Sequence, residues 1–318
     1  MSALLDPLGL PPSGGGPPSS PRAFPGGGAW RLEIPSVEGP DALAAVIEAA
    51  DGLGVPVHRV SQGSGVGMLT DAEITDMVQA AGERGIELCL FARPGANWDT
   101  GAASATAARA LVARSRGRGQ LAAGVAQAER AAALGVGSVL VADEGLLWAL
   151  HLLRDRGDLP ASLQLKVSVM AGPANPAALR VHELLGADTV NVPSDLTTHQ
   201  LAELRAGSPV PLDVYVEAPD DIGGFVRHHE IAEIARVAAP VYIKFGLRNA
   251  PDVYPAGEQV AATVLAASRE RVRRARLGLD ELARAADVPG MAPLGARDQP
   301  ALDRFPAPPP PTGGTPAA

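Results

Sequence analysis

One pattern recurs eight times along the middle of the chain. A short apolar run is followed by a polar turn and by a stretch whose Ala, Leu and Val residues repeat with helical spacing. The predicted strands cover residues 30–35, 55–61, 86–93, 138–143, 164–170, 187–192, 211–218 and 240–246. The predicted helices cover residues 41–53, 70–84, 119–134, 144–156, 176–185, 197–206, 222–238 and 256–285.

Eight such units in about 260 residues match the size of a (β/α)₈ barrel. A doubly wound open sheet uses the same units, but two features favour closure. No G-x-G-x-x-G sequence follows the first strand, which continues as Glu33-Ile34-Pro35-Ser36-Val37. Most strands also alternate apolar with polar side chains, whereas strands of an open parallel sheet are apolar on both faces. We therefore predict an α/β fold of the TIM-barrel type.

The two ends of the chain differ in composition from the middle. Residues 1–28 and 288–318 are rich in Pro and Gly, and such segments bury too little apolar surface to offset the entropy of ordering. We therefore predict a barrel domain over residues 29–287 between two disordered tails.

Charge and cysteine content restrict the class of protein. The formal net charge of −8 argues against nucleic acid or an anionic membrane as the main partner. The single cysteine, Cys89, excludes an intramolecular disulfide and any all-cysteine metal or iron–sulfur site within this chain. Neither a secretion signal nor an apolar run of membrane-spanning length is found. We expect a cytoplasmic protein, whose oligomeric state the sequence does not predict.

Lysine is rare, and its placement points to the barrel interior. Of the 27 basic Lys and Arg residues only Lys166 and Lys244 are lysine, and both lie in apolar strand sequences. Strand alternation predicts a polar interior, with the second strand ambiguous between His58 and Arg59. The other residues predicted to face inward are Arg31, Glu33, Glu87, Cys89, Phe91, Arg93, Lys166, Ser168, Met170, Thr189, Asn191, Asp213, Tyr215, Glu217, Tyr242 and Lys244.

Active sites of such barrels lie at the C-terminal ends of the strands. Carboxylates, arginines and a lysine around one mouth suit a small anionic molecule or peptide as substrate. We predict Glu33 and Glu217 for acid–base catalysis and Lys244 for charge stabilisation. The residues predicted to bind substrate are Arg59, Arg93, Asn191, Tyr215 and Arg248.

Four alternatives stay open at this point. Lys166 or Lys244 could form a Schiff base, as in a lyase or aldolase. A divalent metal could be held by Glu33, Asp143 and Glu217 through carboxylate oxygens, although no H-x-H or H-E-x-x-H spacing supports it. The interior charges could be structural ion pairs, or the barrel could be a non-catalytic scaffold.

One stretch of sequence resembles a known family. Leu185-Gly186-Ala187-Asp188-Thr189-Val190-Asn191-Val192-Pro193-Ser194-Asp195-Leu196, a helix, and then Pro211-Leu212-Asp213-Val214-Tyr215-Val216-Glu217 are similar to the collagenase-like peptidases, peptidase family U32. The resemblance implies a barrel-type catalytic domain and hydrolase activity, with Glu217 at the general position of the catalytic region. After this strand, the signature of that family carries cysteines, whereas this chain has Glu217-Ala218-Pro219-Asp220-Asp221 and no cysteine. The chain resembles a divergent member without the cysteine signature.

Overall fold

The eight strands form a closed parallel barrel. A computed structural model describes residues 16–93, 113–296 and 298–299. Each strand pairs with the next, and β1 pairs with β8 to close the ring. The strands are β1 Trp30–Pro35, β2 Arg59–Ser61, β3 Glu87–Phe91, β4 Ser138–Val141, β5 Gln164–Val167, β6 Thr189–Asn191, β7 Leu212–Glu217 and β8 Val241–Phe245. The barrel is confirmed and the open sheet is excluded.

Helices follow the strands on the outside of the barrel. Within the described residues they are α1 Pro40–Leu53, α2 Asp71–Glu83, α3 Gly117–Ala133, α4 Glu144–Asp155, α5 Pro176–Leu184, α6 Thr198–Gly207, α7 Ile231–Val237 and α8 Ala261–Arg284. Two predicted helices, 222–238 and 256–285, start too early, since α7 begins at Ile231 and α8 begins at Ala261. Gly223 and Gly224 have positive φ and carry the chain into a bridge between Glu217 and Val226, so α7 cannot begin before that turn.

The main apolar core lies between the barrel wall and the helices. Strand residues that alternate with the polar interior ones, such as Leu32, Ile34, Val214 and Ile243, are buried against helix residues. Capping boxes at Thr70 and Thr197 start α2 and α6, as the sequence predicts. The C-terminal ends of all eight strands consequently open at the same face, where the site is expected.

The described parts of the two predicted tails pack onto the opposite, N-terminal face. Phe24 is buried against Tyr242, and the Trp30 indole N–H donates to the carbonyl of Pro289 at 2.8 Å. The backbone around Met291 bridges to Trp30. The described residues of these two segments, 16–28, 288–296 and 298–299, therefore pack against the barrel. Disorder of the two tails as a whole stays a prediction. Residues 1–15 and 300–318 lie outside the described residues.

None of the helices in the described part of the chain combines the length and the apolar character needed to cross a membrane.

Candidate functional site

A network of charged side chains fills the middle of the barrel. Strand register sets its composition: Glu33 on β1 is opposite Arg59 on β2 and Lys244 on β8. Three carboxylates and three cations, all buried, make up the network in the described structure: Glu33, Glu87, Asp213, Arg59, Lys166 and Lys244. Their formal charges cancel, as burial without water requires.

Glu33 is the centre of this network. Its carboxylate accepts from Lys166 Nζ at 2.5 and 2.6 Å, from Arg59 Nε at 2.8 Å and from Ser61 Oγ at 2.7 Å. Lys244 Nζ lies 3.0 Å from the same Oε1 atom that contacts Lys166. Burial alone raises the pKa of Glu33, but the charges of Arg59, Lys166 and Lys244 outweigh it and hold that pKa well below its usual range.

Arg59 is fully enclosed beneath Glu33. Its guanidinium contacts Asp213, donates to Thr189 Oγ1 at 3.3 Å, and lies 3.4 Å from the ring centroid of Tyr242. The predicted role of Arg59 in binding substrate is wrong because the side chain has no exposed surface. The ambiguity of strand two is also resolved, since Arg59 faces the interior. His58 instead accepts from the Leu32 N–H through Nδ1.

Lys166 is buried at the same level as Arg59. Burial and the charge of Arg59 lower the pKa of Lys166, against the attraction of Asp213 and Glu33. The amine is enclosed and does not line the cavity at the mouth. Lys166 therefore cannot contact a molecule in the cavity directly. It can influence such a molecule only through its charge on Glu33 and on Lys244.

A cavity of about 70 Å³ lies above the network at the C-terminal face. Four of the predicted site residues line it: Arg93, Asn191, Tyr215 and Lys244. Ser61 and Ser168 add hydroxyl groups to the same wall. The cavity thus combines two cations and neutral hydrogen-bonding groups with one exposed carboxylate, Asp221, and the two cations suit a small anion.

Lys244 forms the junction between the network and the cavity. Its Nζ donates to Asn191 Oδ1 at 2.6 Å and lies 4.5 Å from the ring centroid of Tyr215. Asn191 is oriented in turn by its Nδ2, which donates to the carbonyl of Val167 at 2.6 Å. Lys244 lines the cavity and is held in place by Asn191 and Tyr215. It is therefore the lysine that a ligand in the cavity can contact.

Arg93 lies on the opposite side of the mouth. Its Nη1 donates to the carbonyl of Gly63 at 2.8 Å, in the loop that follows β2. That loop is fixed by Glu38, whose carboxylate accepts the backbone N–H groups of Gly63 and Ser64 at 2.8 and 2.9 Å. The guanidinium of Arg93 is therefore anchored to a braced loop.

Glu217 does not join Glu33 and Lys244 at the cavity, so its predicted role in acid–base catalysis there is not supported. A bulge in β7 pairs Tyr215 with Lys244 but Glu217 with Phe245, which turns Glu217 to the outside of the barrel. There its carboxylate lies 3.3 Å from His228 Nε2 and accepts from the backbone N–H of Arg248 at 3.1 Å. Although burial raises the pKa of Glu217, its hydrogen bond from His228 leads the interactions that lower it overall.

Two further predicted positions lie away from the cavity. Arg248 is 59% exposed on the rim, with its Nε 3.5 Å from Asp220 Oδ1. Asp143 caps α4 by accepting from the Leu146 N–H at 2.8 Å. Glu33, Asp143 and Glu217 are thus in three separate environments, so the alternative metal site is not assembled. The described residues contain no group of three or more His, Cys, Asp or Glu side chains that could hold a metal ion.

Three residues that no sequence pattern singles out also shape the mouth. Ser36 follows β1 with a φ of 60°, which is rare outside glycine, and its hydroxyl contacts the phenol of Tyr254. Arg271 on α8 donates from Nη1 to the carbonyl of Ser36 at 3.2 Å. No periodicity signals these positions, because two lie in loops and the third lies on a helix face like any other core position.

Comparison with known proteins finds likenesses only among solved structures. No protein-family model matches the chain, and no curated protein does. The U32 peptidase Mk0906 is 19% identical, with a TM-score of 0.41 over 63% of this chain and 73% of that one. A Rubisco-like protein from Rhodopseudomonas palustris is 15% identical, with a TM-score of 0.46 over 81% of this chain and 65% of that one. An oxaloacetate acetylhydrolase, solved with its product oxalate, is 14% identical, with a TM-score of 0.40 over 67% and 75%.

Proposed function

We propose that this chain is a barrel enzyme that binds a small 2-oxo acid at the mouth and forms a Schiff base with it through Lys244. The observation that carries the proposal is the position of Lys244. Its amine lines the cavity and shares one carboxylate oxygen of Glu33 with Lys166. A second cation beside a lysine is one of the arrangements that activate an amine as a nucleophile.

The remaining residues of the cavity have compatible roles. Arg93 supplies a guanidinium for the carboxylate of the substrate. Asn191 and Tyr215 hold the Lys244 side chain from two sides. Ser168 presents its hydroxyl to the oxygen of the carbonyl group, because within the described residues its Oγ only accepts from the Met170 N–H, whereas the Ser61 hydroxyl is already donated to Glu33. These roles agree with an anionic substrate and need no metal ion.

Formation of the imine needs only the amine of Lys244 and the carbonyl group of the substrate as reactants. Lys244 passes one proton to the Glu33 carboxylate 3.0 Å away, and its Nζ attacks the carbonyl carbon; a second proton moves from the nitrogen to the former carbonyl oxygen to give a carbinolamine, and Glu33 then returns its proton to that hydroxyl group. Loss of water then gives a protonated imine, which withdraws electrons from the adjacent carbon–carbon bond. Borohydride would reduce this imine to a stable secondary amine on the same nitrogen.

Borohydride trapping tests the proposal directly, since the chain has only two lysine side chains. The protein is incubated with pyruvate, 2-oxobutanoate or 2-oxoglutarate, reduced, and analysed by intact-mass and peptide mass spectrometry. We expect an adduct on Lys244 that is absent in Lys244→Gln and weaker, but present, in Lys166→Met. Circular dichroism of each variant serves as the control for folding. An adduct on Lys166, or none with any of these acids, overturns the proposal.

A second candidate is hydrolysis of a small peptide, which the U32-like residues 185–217 suggest. Glu217 cannot activate water at the cavity because it faces outward. Asp221 lines the cavity and is the carboxylate that would take this role. Release of amino acids from a dipeptide panel, lost in Asp221→Asn and kept in Lys244→Gln, would support hydrolysis over the lyase. Inactivity in both assays would favour the non-catalytic scaffold.

A further inference from the structure

Arg271 is a buried cation that touches no carboxylate within the described residues. Its side chain lies on α8 and is 5% exposed. Within the described residues it makes no ion pair, and its hydrogen bond to the Ser36 carbonyl at 3.2 Å is its single one. Its Nε is buried and unpartnered. Burial lowers the pKa of Arg271, and the nearby Tyr254 and the buried Glu38 oppose this effect through space. The Glu38 carboxylate is nevertheless held by the backbone N–H groups of Gly63 and Ser64 and forms no ion pair with Arg271. Arginine is rarely buried without a direct partner because the desolvated charge is unfavourable, so the space beside Arg271 favours a negative group that arrives from outside.

A second cavity provides the space for such a group. It has a volume of about 180 Å³ and is lined by Arg271, Leu247, Val253 and Tyr254 among others. It adjoins the mouth cavity, because Ser36, Pro219, Asp221 and Tyr254 line both. Tyr254 is fixed in the shared wall by its contact with the Ser36 hydroxyl. The volume exceeds the roughly 30 Å³ share of one water molecule several times.

The aspartates around this second cavity do not neutralise Arg271. Asp220, Asp221 and Asp252 line it too, but all three are exposed, and exposed charges are strongly screened by water. Asp220 is also engaged by Arg248 and by the backbone N–H of Asn249. The buried end of the cavity is therefore positive, and the exposed end is negative.

We infer that this second cavity is a subsite for a carboxylate or a phosphate group, which Arg271 binds. In combination with the proposed function, on which this step rests, the substrate carries an acidic group at each end. Its 2-oxo acid end lies against Lys244 and Arg93, and its far end passes Tyr254 to reach Arg271. The subsite itself does not depend on Schiff-base chemistry.

Direct binding tests the subsite without any reaction. Succinate and inorganic phosphate are titrated by calorimetry into the wild type, Arg271→Gln and Arg273→Gln. Arg273 is the matched control because it lies on the same helix, exposed and paired with Glu270. A charged hydrogen bond contributes about 1.5–3 kcal/mol, which converts to about 10- to 150-fold weaker binding in Arg271→Gln. Arg273→Gln should bind like the wild type, and Arg271→Lys should recover part of the loss.

Trapping then tests which substrate the two cavities select. The wild type should favour 2-oxoglutarate over 2-oxobutanoate by about 10-fold or more, and Arg271→Gln should lose this preference while it still traps 2-oxobutanoate. If Arg271-dependent binding occurs without trapping, the Schiff base is wrong and the subsite stands. Unchanged discrimination in Arg271→Gln, or no binding of succinate and phosphate to the wild type, overturns the inference.

Thermal stability separates a binding arginine from a structural one. An unpaired buried charge disfavours the folded state, so Arg271→Gln should melt at the same temperature as the wild type or higher. A clear fall in melting temperature together with unchanged ligand binding would assign Arg271 to the packing of α8 instead.

Discussion

Replacement of Glu33 by Gln tests the charge network at its centre. The substitution keeps the shape of the side chain but leaves three cations against two carboxylates in the interior. Charged donors from Arg59, Lys166 and Lys244 lie within 3.0 Å of the Glu33 oxygens, and Gln offers only one acceptor oxygen. Removing one member of a buried ion pair destabilises by about 3–5 kcal/mol. That is a large part of a total stability of about 5–15 kcal/mol.

Urea denaturation followed by circular dichroism measures this loss. We expect a lower midpoint for Glu33→Gln with an unchanged slope. The double variant Glu33→Gln/Lys166→Met restores equal numbers of opposite charges and should recover most of the loss. Glu48→Gln is the surface control, because Glu48 is 75% exposed in its pair with Arg269. If Glu33→Gln unfolds within about 0.5 kcal/mol of the wild type, the network does not stabilise the barrel as argued.

Two further predictions concern the N-terminal face of the barrel, where His58 and Gly28 lie against Ala292. Burial lowers the pKa of His58 from 6.5 to about 4, so the unfolded chain binds the proton more readily. Stability should therefore fall by about 3 kcal/mol as pH drops from 6.5 to 4; urea midpoints across this range check it, and His58→Gln should remove this part of the slope. A Cβ at Gly28 would overlap the backbone of Ala292, whereas one at Gly27 meets nothing. Since both have positive φ, Gly28→Ala should be much less stable than Gly27→Ala in the same assay, and equal stabilities would contradict the packing of the C-terminal segment.

Alternation along the strands was enough to predict the barrel and most of its interior. A period of two is fixed by the pleat, so a polar residue flanked by apolar ones points inward wherever the strand is regular. Lys166, Asn191 and Lys244 follow this rule, and all three lie inside the barrel. For the second strand, alternation does not distinguish whether His58 or Arg59 points inward. The strand register does, because Arg59 pairs with Glu33.

Irregular backbone accounts for the errors. Glu217 has the same spacing from Tyr215 as Tyr215 has from Asp213, yet one bulge turns it to the other face. The sequence has no local signal for that extra residue. The described residues of the tails have the composition of a flexible segment, and contacts with distant partners such as Trp30 hold them against the barrel.

The rarity of lysine has a physical explanation at Glu33. One carboxylate oxygen accepts contacts from two ammonium groups, Lys166 at 2.5 Å and Lys244 at 3.0 Å. An ammonium is a compact charge on a flexible stem, whereas a guanidinium is a planar fork that suits a whole carboxylate. Arg59 approaches Glu33 from the side with such a fork, and two more forks at the same oxygen would collide. Lysine at both positions allows three cations to meet one carboxylate and leaves one amine facing the cavity.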